Sequence, residues 1–77
     1  MILLSTLPKN SLGIIKLLEI EDSLKTELAS LGIGLGTKIR VKNLLKDAII
    51  FDAYLNNTKK RITIPIKEAL KIQVLPI

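Results

Sequence analysis

The feature that most constrains this chain is its division into short, β-branched apolar runs separated by polar or turn-forming residues. Runs of this length and composition are typical of β-strands. In the first run, apolar residues point to both faces, as expected where a strand curls inside a small barrel. We therefore predict five strands, over residues 13–20, 38–42, 49–55, 61–66 and 72–75.

Only residues 21–31 show helical spacing, with Leu24, Leu28 and Leu31 on one face. Gly32 follows the last of these leucines, at the position where a left-handed helix cap requires glycine. We therefore predict one helix between the first two strands. Its leucines should cover an open end of the barrel.

Turn signals separate the remaining strands. The pair Asn56-Asn57 predicts a hairpin turn, because asparagine tolerates a positive φ. Pro65 lacks a backbone N–H, so the fourth predicted strand should end there or lie at the sheet edge. Residues 1–11 contain Pro8 and Asn10 and are interpreted as an arm with a turn. The sequence predicts a single domain over residues 1–77, a mainly β fold in the form of a small SH3-like barrel of about five antiparallel strands with one inserted helix.

The residue types present exclude most catalytic designs. The chain has no histidine and no cysteine, so Ser-His, Cys-His and histidine-ligated metal sites are impossible. We expect no enzyme activity, no cofactor and no metal site. Glu19, Glu21 and Asp22 are grouped where the helix begins, and a solvated helix N-terminus is the favoured interpretation over a hard-cation site.

Charge leaves one alternative open. The net charge of +5 fits either an anionic partner or a device that keeps an apolar domain in solution. Lys38, Arg40 and Lys42 alternate along one predicted strand, and 59–61 is a basic run, so a nucleic-acid-binding barrel is the alternative function. Few aromatic residues are available for stacking, and we expect no nucleic acid partner. No apolar run approaches the roughly 20 residues of a membrane span, so we expect no insertion across a membrane and a cytoplasmic location.

The residues around the helix end resemble those of a known family. The sequence is similar to the FeoA-type domain, in which a helix ends in a Leu-Gly-Ile or Leu-Gly-Leu turn and a Gly-Thr step leads into an alternating strand. The positions that carry the resemblance are Leu24, Leu28, Leu31-Gly32-Ile33, Gly36-Thr37, Ile39, Val41, Ile62, Ile64, Ala69, Ile72 and Val74.

This resemblance implies a small accessory protein of bacterial ferrous iron uptake. Its partner would be the membrane transporter FeoB, which would recruit it to the inner face of the membrane. The same fold also occurs as the C-terminal domain of repressors of the diphtheria-toxin-repressor type, but we expect this chain to be the free-standing form. We expect the apolar residues of the glycine turn, Leu31, Ile33 and Leu35, to be exposed and to bind the partner. Strand edges also permit self-association, which the sequence leaves open.

Overall fold

Six antiparallel strands form one curled sheet in the computed structural model, which describes residues 1–77. The strands are β1 (Ile2–Leu3), β2 (Leu12–Leu18), β3 (Lys38–Leu44), β4 (Ala48–Leu55), β5 (Thr58–Pro65) and β6 (Ile72–Pro76). A 3₁₀ turn spans Leu4–Thr6, and the two helices are α1 (Asp22–Ser30) and α2 (Ile66–Ala69). The mainly β, SH3-like barrel with a helix between the first two predicted strands is confirmed.

The strand order is β1-β6-β2-β3-β4-β5, so the chain has one strand more than the sequence predicted. The additional strand is β1, whose Ile2 and Leu3 pair with Val74 and Gln73 of β6. The N-terminal arm is thus part of the sheet. Two residues are too few to show a period of two, which is why the pattern did not reveal this strand.

The turn predictions are confirmed. Leu55 pairs with Thr58, so Asn56 and Asn57 form a two-residue hairpin turn in which Asn56 has φ 47°. Strand β5 lies at one edge of the sheet and ends at Pro65, as expected for a residue that has no backbone N–H to donate.

The core occupies the concave side of the sheet. Phe51 of β4 is fully buried at its centre, together with aliphatic residues from every strand from β2 to β6. Leu28 of α1 is also buried and Leu24 packs against the same cluster, so the helix covers one end of the barrel as expected. This packing fixes the helix end, from which the candidate site is built.

The start of α1 is held by a distant residue. The backbone N–H of Glu21 donates a hydrogen bond to Oε2 of Glu68 in α2, at 3.2 Å. Glu68 is buried, and Lys71 lies 3.8 Å from its other carboxylate oxygen. The carboxylate of Glu68 therefore lies at the positive N-terminal end of the α1 dipole, where a negative charge is stabilising, and it links the two helices.

Candidate partner-binding site

Helix α1 ends in a Schellman motif. The N–H of Gly32 donates to the carbonyl of Ala29 at 2.9 Å, and the N–H of Ile33 donates to the carbonyl of Leu28 at 2.9 Å. Gly32 has φ +86°, which is strained for any residue with a Cβ. The predicted glycine cap is confirmed, and it determines where the next side chains point.

The structure corrects the expectation that Ile33 is exposed. Ile33 is only 2% exposed and belongs to the same core cluster as Leu28. In a Schellman motif the residue after the glycine makes a hydrophobic contact with the last turn of the helix, and Ile33 and Leu28 occupy these two positions. Ile33 therefore supports the turn from inside and is not available on the surface.

The other two predicted contact residues do lie on the surface. Leu35 is 68% exposed, and Leu31, at the helix end, is partly exposed. The turn that carries Leu35 is fixed to β2: the N–H of Gly36 donates to the carbonyl of Ile15 at 2.7 Å, and the N–H of Ile15 donates to the carbonyl of Thr37 at 3.0 Å. The exposed leucine is thus presented by a turn that is hydrogen-bonded to β2.

Leu31 and Leu35 form one wall of an open groove, which we call the leucine groove. The β4–β5 hairpin lines the rest of the groove, where the side chain of Leu55 lies close to Gly32. The full lining is Leu31, Gly32, Leu35, Gly36, Thr37, Lys38, Tyr54, Leu55, Asn56, Asn57, Thr58 and Lys60. The groove combines three leucines with two lysines, so it suits an apolar segment that carries acidic residues.

The convex side of β3, β4 and β5 has a different character. Asp52 of β4 is only 1% exposed and pairs in register with Arg40 of β3 and Arg61 of β5. Arg61 donates to both carboxylate oxygens of Asp52, from Nε at 3.0 Å and from Nη2 at 3.4 Å. This hydrogen bonding holds the pKa of Asp52 below its usual value, against the opposing effect of burial, and the positive charges of Arg61, Lys59 and Lys42 act in the same direction.

The candidate metal ligands do not converge. No group of three or more acidic side chains is placed to hold a metal ion. Glu21 accepts a hydrogen bond from the hydroxyl of Ser23, and its backbone N–H donates to Glu68. These contacts stabilise the start of α1, which fits the favoured interpretation of a helix N-terminus.

Sequence reasoning missed two parts of this surface. Leu55 was assigned to a strand, and its position opposite the glycine turn depends on the curl of the whole sheet. Asp52 is the single charged residue within an apolar run, and such a position indicates a buried carboxylate that needs a charged partner. The pairing of β4 with β5 places Arg61 opposite it.

The sheet order and the helix inserted between β2 and β3 define an SH3-like barrel, with an open groove at the helix end. The family description "FeoA domain" matches residues 2–76, so the chain belongs to the FeoA family. Curated protein sequences give no significant match to this chain.

Solved structures show the same fold. A crystal structure described as the iron uptake regulatory protein FeoA has a TM-score of 0.77 at 21% identity, and the match covers 99% of this chain and 97% of that one. The solution structure of FeoA from Chlorobium tepidum has a TM-score of 0.83 at 24% identity, covering 96% of this chain and 69% of that one. A FeoA-like protein from Clostridium acetobutylicum has a TM-score of 0.68 at 21% identity, covering 99% and 86%.

Membership of this family implies a role in ferrous iron uptake, since FeoA proteins are accessory, non-catalytic components of iron transport. None of the helices is long and apolar enough to cross a membrane.

Proposed function

We propose that this protein is an accessory and regulatory component of bacterial ferrous iron uptake that docks, from the cytoplasm, onto a FeoB-type membrane transporter. Family membership supports the pathway, and one similar solved structure is described as an iron uptake regulatory protein. The observation that carries the docking proposal is the leucine groove, where Leu35 is 68% exposed on a backbone held in place by β2.

The groove has the properties of a contact site. A large aliphatic side chain gains free energy when a partner removes it from water, at about 25 cal/mol per Å² of buried apolar surface. Because Gly36 and Thr37, which follow Leu35, are hydrogen-bonded to Ile15, the turn loses little backbone conformational entropy on binding. Lys38 and Lys60 lie at the rim, where they would attract carboxylates beside the apolar segment of the partner.

The proposal is tested by placing a single negative charge in the leucine groove. Leu35→Asp should weaken binding to the purified transporter in detergent or nanodiscs at least tenfold, measured by biolayer interferometry or co-purification. The substitution places a charge where apolar contact is required, while the exposed position leaves the fold intact. Ile33 is unsuitable for this test because a charge in the core would unfold the domain.

The matched control is Leu70→Asp, which adds the same charge at a leucine that is 52% exposed and lies outside the groove. We expect this variant to bind like the unmodified protein. If Leu35→Asp binds with unchanged affinity, the leucine groove is not the docking surface. If neither the unmodified protein nor the control binds the transporter, the proposed partner is wrong.

A further inference from the structure

The positive charge of the chain is concentrated on one surface. The convex side of β3, β4 and β5 carries five basic side chains and one acidic one, as set by strand register and alternation. The rest of the chain has seven basic and six acidic residues. This surface therefore holds four of the five net positive charges. We call it the basic face, and its charged residues are Lys38, Arg40, Lys42, Lys59, Arg61 and Asp52.

Internal contacts neutralise only part of the basic face. Asp52 is engaged by Arg61 at 3.0 Å and by Lys59 at 3.9 Å. The three cations of β3 form no salt bridge: Arg40 donates instead to the hydroxyl of Tyr54 and to the carbonyl of Asn10. Strand β3 therefore presents a row of three positive charges without a salt-bridge partner, about 13 Å long given a rise of roughly 3.3 Å per residue.

Exposed apolar side chains lie where β3 ends, at the tip of the β3–β4 hairpin beside the basic face. Leu44 and Leu45, in the β3–β4 hairpin, are both about half exposed, and Lys42 and Lys46 flank them in the sequence. A protruding pair of leucines between lysines is a combination that binds the boundary between lipid headgroups and acyl chains.

We propose that the basic face, together with the Leu44–Leu45 tip, is a peripheral docking surface for an anionic lipid bilayer. Cationic side chains are attracted to the negative surface potential of acidic lipids, and the tip contacts the interface without spanning the membrane. No surface pocket is lined by Arg40, Lys42 or Arg61, so the face suits an extended flat partner better than a peptide. Tyr54 is the only aromatic residue on it, which disfavours base stacking with nucleic acid.

The experiment uses vesicles without any transporter, so its result is independent of the proposed function. The full-length protein is sedimented with vesicles of phosphatidylcholine alone or of phosphatidylcholine and phosphatidylserine at 7:3. We expect binding only to the anionic vesicles, and weaker binding as salt is raised. Lys38→Glu/Lys42→Glu should weaken binding at least tenfold. Leu44→Ser/Leu45→Ser should weaken it severalfold and retain the salt dependence.

The matched control is Lys25→Glu/Lys67→Glu, which changes the net charge equally through exposed lysines of α1 and α2, outside the basic face. It should retain most of the binding, and circular dichroism checks that every variant is folded. The proposal is overturned if anionic vesicles do not bind the protein, or if both charge-reversal variants lose the same affinity. It is also overturned if single-stranded DNA or polyglutamate binds the basic face while the vesicles do not.

Discussion

Phe51 and Asp52 are neighbours in β4 and almost equally buried, with 0% and 1% of their surface exposed, yet they are buried for opposite reasons. Phe51 points into the barrel and is enclosed by aliphatic side chains. Asp52 points to the convex side and is enclosed by the basic side chains of the flanking strands, with Arg61 bound to both of its oxygens.

The difference shows what each side of the sheet requires. Apolar burial needs only volume and area, and it stabilises a small domain that has no disulfide. A buried carboxylate needs a specific partner, because an unpaired charge in a dry site costs several kcal/mol. The concave side is therefore set by packing, whereas the convex side is set by a few charges whose partners can be removed one at a time.

The largest expected effect is on the concave side. Phe51→Ala should lower the free energy of unfolding by about 3–5 kcal/mol, because it removes an aromatic ring and leaves a cavity in the core. That is a large share of the roughly 5–15 kcal/mol that stabilises a typical protein. Urea unfolding followed by circular dichroism measures the change. Phe51→Leu is the control and should cost less, and equal stability of Phe51→Ala and the unmodified protein would contradict the role assigned to the ring.

A smaller effect is expected on the convex side when Arg61 is replaced. Arg61→Met keeps much of the aliphatic stem and removes the guanidinium, so Asp52 is left buried with Lys59, at 3.9 Å, as its remaining salt-bridge partner. We expect a loss of about 1–3 kcal/mol in the free energy of unfolding. Lys60→Met is the control on the neighbouring position, which forms no salt bridge, and should change stability by less than about 0.5 kcal/mol. Equal effects of the two substitutions would show that Asp52 does not depend on Arg61.

The fold was largely predictable because its elements carry local signals. The leucine period and Gly32 mark α1 and its end, and Asn56-Asn57 marks the β4–β5 hairpin. Strand β1 was missed because two residues have no measurable period, and its pairing with β6 joins opposite ends of the chain. Long-range pairing of this kind leaves no trace in a local pattern.

The candidate site was only partly predictable. Leu35 is exposed as expected, since the glycines around it make a surface turn. Ile33 is buried because the Schellman motif turns it inward, and the order Leu28, Leu31-Gly32-Ile33 contains that information once the motif is recognised. Leu55 and the pairing of Asp52 with Arg61 required the sheet register, which the sequence alone does not fix.

The smallest expected effect is a pH-dependent one, and it separates charge from packing. The pKa of Asp52 is lowered in the folded protein, chiefly by the hydrogen bonds from Arg61, so the folded state binds this proton more weakly than the unfolded chain. The stability from Asp52 is therefore complete above the carboxyl's ordinary pKa of about 4 and is lost as the pH falls through the lower folded-state pKa. Asp52→Asn should cost about 0.5–1 kcal/mol at pH 7, a modest value because Arg61 is 60% exposed and screened by water.

In urea unfolding from pH 7 to pH 3, the difference between the unmodified protein and Asp52→Asn should stay constant down to about pH 5 and then shrink. Phe51→Leu leaves the carboxyl group of Asp52 in place, so the difference in unfolding free energy between this variant and the unmodified protein should not follow that profile. A difference for Asp52→Asn that persists undiminished at pH 3 would mean that Asp52, like Phe51, is held by packing rather than by its charge.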